Sequence, residues 1–133
     1  MDFAKYDTSK TSETGAELTV LNPETYEETD VKIRLAGTDS SVYRNFIKRR
    51  AEERMKQGKK KQQSVDLDKS EREGCELLAA CTLGWQNVSE KGQEVEFSKE
   101  AAIDLYLKYK WLRDQVDSFI GDRANFFPKS SKA

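Results

Sequence analysis

Histidine is absent from this chain. That removes the usual general base and the commonest metal-ligating side chain. Only two cysteines are present, Cys75 and Cys81. Six residues apart on a helix they stand about 9 Å apart along its axis and on different faces, too far for a bridge. Two thiols without histidine do not complete a zinc site either, so both read as small buried apolar residues. No run of about 18 apolar residues occurs, and no membrane-spanning helix is expected. The opening residues, MDFAKYDTSK, lack the basic-then-apolar order of a secretory signal, which points to the cytoplasm of the cell that makes the chain. There is no Gly-rich phosphate loop, no G-x-S-x-G elbow and no CxxC pair. Carboxylates are plentiful but interleaved with lysine and arginine, as on a solvated face. The expectation is a binding protein rather than an enzyme, with no catalytic, cofactor-binding or metal-binding residue assigned.

What the chain does have is charge. Of its 133 residues, 35% are charged and 36% hydrophobic, against a usual ~25% and ~45–50%. This predicts one domain with a thin core. Lysine plus arginine number 23 and aspartate plus glutamate 24, so the net charge gives no global pull toward nucleic acid or anionic lipid. Local runs matter more. Between Lys48 and Lys61 there are eight basic residues and two acidic ones. A phosphate-contacting surface for DNA or RNA is one reading of that run. The absence of aromatic residues from 48–61 argues against base stacking there. A basic face that meets an acidic protein is a further reading.

Residues 1–16 are polar and without period, and read as a flexible arm. Over residues 17–36, Leu18 and Val20, then Val31, Ile33 and Leu35, alternate with polar residues. That is the period of two expected of a half-buried hairpin, with Asn22-Pro23-Glu24-Thr25 as its turn. Asp39 or Ser40 should cap a helix carrying Val42, Tyr43, Phe46, Ile47, Ala51 and Met55. Residues 57–69 read as a mobile basic linker. Ser70-Glu71-Arg72-Glu73 matches a capping box before a helix with Leu77, Leu78, Ala80 and Cys81, which Gly84 should end. A short hairpin or ordered loop is expected over 85–97. Ser98 should cap the next helix, and a last helix is expected from Trp111 to Ala124. Residues 128–133 read as a disordered tail. The predicted fold is α+β, mainly α: an N-terminal hairpin and about four helices, as one domain over residues 17–127.

The aromatic set from Trp85 to Phe127 is dense for so polar a chain. Aromatics at helical spacing serve a core more often than a site, but a thin core cannot hide all of them, and Trp and Tyr favour protein interfaces. Trp111, Phe119, Phe126 and Phe127 are the candidate partner-binding residues.

The order of elements in this region carries a resemblance. A turn at Trp85 precedes a loop with Gly92. Val95, Phe97 and Ser98 then open a helix rich in alanine. A final helix begins near Trp111 and ends at Asp122, Arg123, Asn125 and Phe126. In that order and spacing the chain resembles the tail assembly chaperones of lambda-like long-tailed bacteriophages, best over residues 77–127. The resemblance implies a protein that binds the tape-measure protein, keeps it soluble while tail-tube subunits polymerise around it, and is absent from the finished virion. It implies no cofactor and a place in the host cell cytoplasm. Self-association into a homo-oligomer would suit that work by letting several copies coat a long client through repeated weak contacts. The resemblance also implies a frameshift-extended form that recruits the tail-tube protein. Phe127-Pro128-Lys129 encoded as TTC CCA AAG would contain a slippery heptamer, and reading the codons decides that point.

Overall fold

A computed structural model describes residues 1–57 and 67–128. In chain order the elements are α1 (Ser9–Thr14), β1 (Ala16–Leu21), β2 (Glu28–Leu35), α2 (Ser41–Gln57), α3 (Leu67–Ala80), β3 (Thr82–Gln86), β4 (Ser89–Glu90), β5 (Gln93–Glu94), α4 (Lys99–Lys108) and α5 (Lys110–Gly121). Tight 3-10 turns at Phe3–Tyr6 and Arg123–Phe126 flank them. The fold is α+β, mainly α, as the periodicities predict.

β1 and β2 form the expected antiparallel hairpin around the Pro23 turn, with Asn22 Oδ1 accepting from the amides of Glu24 and Thr25. The sheet has a third strand that the sequence did not announce. β3 pairs antiparallel with β2, giving the order β1-β2-β3. Gly84 therefore lies inside a strand instead of ending α3. The helix stops earlier, at Ala80, because the Lys99 ammonium arrives from α4 and donates to the carbonyls of Ala79, Ala80 and Thr82 at 3.2, 3.1 and 2.7 Å. A cation on the last carbonyls satisfies them and suits the helix dipole.

The expected hairpin over 85–97 shrinks to the two-residue strands β4 and β5. Lys91 and Gly92 form their turn with φ of 53° and 80°. Positive φ at both central residues marks the turn that matches strand twist. Ser98 caps α4 as expected, accepting from the Ala101 amide at 3.0 Å.

One face of the sheet, through Val20, Ile33 and Leu35, packs against three helices. They contribute Cys75, Leu78 and Ala79 from α3, Ala102, Leu105 and Tyr106 from α4, and Leu112, Val116 and Ile120 from α5. Both cysteines are buried and free, and burial pushes the Cys81 thiol up to about 11. α5 also closes the sheet edge. The Gln115 amide donates to the Leu21 carbonyl and accepts from the Leu21 amide, both at 2.9 Å, which blunts an edge strand otherwise open to pairing.

Three further expectations change. The capping box at Ser70 is not used as such, since α3 already runs from Leu67. Glu73, which would reach back to the cap, instead meets Arg50 of α2 at 2.8 Å. The last helix ends at Gly121, three residues early, because the Asp122 side chain accepts from the Ala124 amide and starts the 3-10 turn. Residues 1–16, expected as a loose arm, instead dock. Ser12 is buried, and the Glu13 carboxylate accepts from the Ser41 amide and hydroxyl at 2.7 and 2.9 Å. Glu13 thus joins Ser40, whose hydroxyl accepts from the Tyr43 amide, in capping α2. The central part of the expected linker (residues 58–66) and most of the expected tail (129–133) lie outside the described residues.

Asp39 ties the two ends of the chain together. Its carboxylate accepts a bidentate pair from Arg123 at 2.8 and 3.0 Å and a hydrogen bond from the Thr8 hydroxyl. The Arg123 bonds, then the Thr8 hydroxyl, lower its pKa to about 2. A depressed carboxylate stabilises the fold above its unfolded pKa, near 4, and that contribution fades as pH falls toward 2. After allowance for solvent screening, Asp39 is expected to contribute about 1 kcal/mol. Denaturant unfolding at several pH values should give Asp39→Asn a shallower loss of stability between pH ~4 and ~2 than wild type. Parallel acid limbs would refute this.

Candidate partner-binding surface

The four candidate residues do not form one patch. Trp111 opens α5 and is 40% exposed. With Val20, Val31, Trp85, Val88 and Tyr109 it lines a mainly apolar groove of about 500 Å3. That volume falls within the usual range for sites that hold an apolar group. Contacts of Trp85 and of Glu90 stiffen its walls. The Trp85 indole donates to the Val95 carbonyl at 2.9 Å, with its ring edge-on to Phe97. The Tyr109 hydroxyl donates to Glu90 at 2.6 Å, and Lys108 reaches the same carboxylate at 2.8 Å. Lys108 and then Tyr109 hold Glu90 below the usual carboxylate range, so it is charged at neutral pH.

Phe119 is half-buried on another side of α5. It lines a second groove, of about 470 Å3, with Leu18, Leu21, Asp114 and Asp122. Phe126 is only 1% exposed. Its ring stands edge-on to Phe119, with centroids 5.7 Å apart, so Phe126 is packing and not surface. Phe127, 41% exposed, points elsewhere and meets the Tyr6 ring at 5.8 Å. Tyr6 and Phe3 are exposed beside it. Both lie in the segment read as a loose arm, which is why spacing rules did not bring them to this patch.

The basic run is also divided. Arg50 is spoken for by Glu53, Glu73 and Glu76. Lys48, Arg49, Arg54 and Lys56 remain exposed on α2. Lys59, Lys60 and Lys61 lie outside the described residues. Among the described residues no helix is long and apolar enough to cross a membrane.

Residues 38–132 match the family model of the YdaY prophage protein. The chain belongs to this family. It is therefore phage-related. No curated protein and no solved structure matches it. The span matched to the YdaY family begins after the β1–β2 hairpin and takes in α2 to α5, both grooves' α5 walls and the whole aromatic run from Trp85 to Phe127. Within that span β3 depends on β2, which lies outside it. In this YdaY-family chain the two grooves meet the hairpin along one wall and α5 along the other.

Proposed function

We propose that this chain is a phage tail assembly chaperone. It binds the tape-measure protein in the host cytoplasm, keeps that client soluble for tail-tube polymerisation, and stays out of the virion. It acts by binding alone, with no catalytic centre, and a frameshift-extended form recruits the tail-tube protein. The observation that carries the reading is the exposed apolar groove under Trp111 in a chain of a prophage family. A holdase needs apolar surface that covers a client's apolar stripe, with charge around it to keep the complex in solution. The groove under Trp111 offers that, with Asp30, Glu90 and Lys91 among its lining residues.

The test is co-expression with the tape-measure protein of the same phage or prophage. The wild-type chain is expected to move most of the client into the soluble fraction. Trp111→Asp, a change at an exposed position, should lower that fraction several-fold while its own unfolding curve stays close to wild type. A client that precipitates equally with and without the chain refutes the proposal.

A further inference from the structure

α2 leans on the body by one side. On that side Arg50 reaches Glu73 and Glu76 of α3 at 2.8 and 3.3 Å and lies over the Phe46 ring. At roughly 100° per residue, Ile47, Ala51 and Met55 share a different sector, interleaved with Arg44, Lys48 and Arg54. This sector, about 120° wide, contains no carboxylate, since Glu52 and Glu53 fall outside it. Ile47 is 45% exposed and Met55 79%. Arg44, Lys48 and Arg54 make no ion pair among the described residues.

The same molecule carries the complementary surface. The groove beside α5 has an apolar floor of Leu18, Leu21 and Phe119 and an acidic rim of Asp114 and Asp122. Asp117 stands exposed nearby on the same helix. These three aspartates make no ion pair among the described residues either. Lengths agree as well. Arg44 to Arg54 spans about 15 Å of α2, and Asp114 to Asp122 about 12 Å of chain at helical rise.

We infer that the basic, apolar face of α2 in one copy seats in the acidic groove beside α5 of a second copy. Two different surfaces meet, so the contact is head-to-tail. Each added copy leaves one face of each kind open, and association runs past the dimer. A nucleic acid would pair the cations but leave Ile47 and Met55 in water. A second copy covers both the charge and the apolar stripe. The inference goes beyond the chaperone reading and stands without it, because it concerns the purified chain alone.

Sedimentation equilibrium of the full chain tests it, at ionic strengths of about 0.02 M and 0.5 M. At low salt the mean mass is expected to rise with concentration beyond that of a dimer, and at high salt to fall back toward the monomer. Two charge reversals, Arg44→Glu/Lys48→Glu and Asp114→Lys/Asp117→Lys, should each stay monomeric at tenfold the concentration at which wild type associates. An equal mixture of the two should associate again, since each then offers the sign the other lacks. That recovery also shows that both variants are folded. The inference is overturned by a wild type that stays monomeric at low salt, including one that binds duplex DNA through α2 without self-associating. It is equally overturned by reversals that leave association unchanged, by a mass that stops at the dimer, or by no recovery in the mixture when both variants unfold like wild type.

Discussion

Tyr106→Ala is expected to lower the stability of the fold by about 3–5 kcal/mol, the range for removing a large buried ring. Tyr106 is fully buried on α4. Its hydroxyl lies 2.8 Å from the Thr82 hydroxyl, which donates to the Leu78 carbonyl at 2.8 Å. The chain of donors thus runs from α4 through the first residue of β3 to the end of α3. Alanine removes the ring that joins these elements and leaves a cavity at their meeting point. Tyr106→Phe keeps the ring, and Thr82 keeps its acceptor, so that change should cost only about 1 kcal/mol. Chemical denaturation of the three proteins checks both values. A Tyr106→Ala loss no larger than that of Tyr106→Phe would sink the account. Burial also pushes the Tyr106 hydroxyl up to about 12. The unfolded chain releases that proton first, near pH 10. Stability is therefore expected to fall as pH rises from about 10 toward 12.

The second large effect separates two neighbours. Phe126→Ala is expected to cost about 3 kcal/mol, and Phe127→Ala no more than about 0.5 kcal/mol, as at most surface positions. Phe126 is fixed between Phe119 and the backbone at Gly37. A Cβ on Gly37 would approach two Phe126 ring carbons at 3.1 Å and the Ser12 hydroxyl at 2.6 Å. Only glycine lets α1, the 3-10 turn and the start of the α2 segment close on one another there. Equal losses for the two phenylalanines in denaturant unfolding would mean that Phe126 is not the buried member of the pair.

This pair also marks how far spacing alone can reach. Phe119 on α5 and Phe126 and Phe127 just after it form a run that suits either a core or an interface. Burial belongs to whatever packs on a ring, and for Phe126 that is Phe119 on one side and, on the other, Gly37, about ninety residues earlier in the chain. The candidate site was legible in part for the same reason. Trp111 and Phe127 are on the surface, and Phe126 is not. The grooves themselves depend on β1, β2 and Trp85 coming to lie along α5.

Features that act over a few residues can be read directly. The Pro23 turn, the alternation of β1 and β2, the serine caps at Ser40 and Ser98, and the α+β, mainly α class all follow from local sterics and hydrogen bonding. Contacts between distant residues settled the rest. Gln115 clamps Leu21 across 94 positions, Arg123 reaches Asp39 across 84, and Glu13 caps α2 across 28. Each of those side chains would be equally at home in water. Only packing against the sheet brings their partners within reach, and so only packing turned a polar arm into part of the body, a helix-ending glycine into a strand residue, and one aromatic run into core, groove and exposed edge.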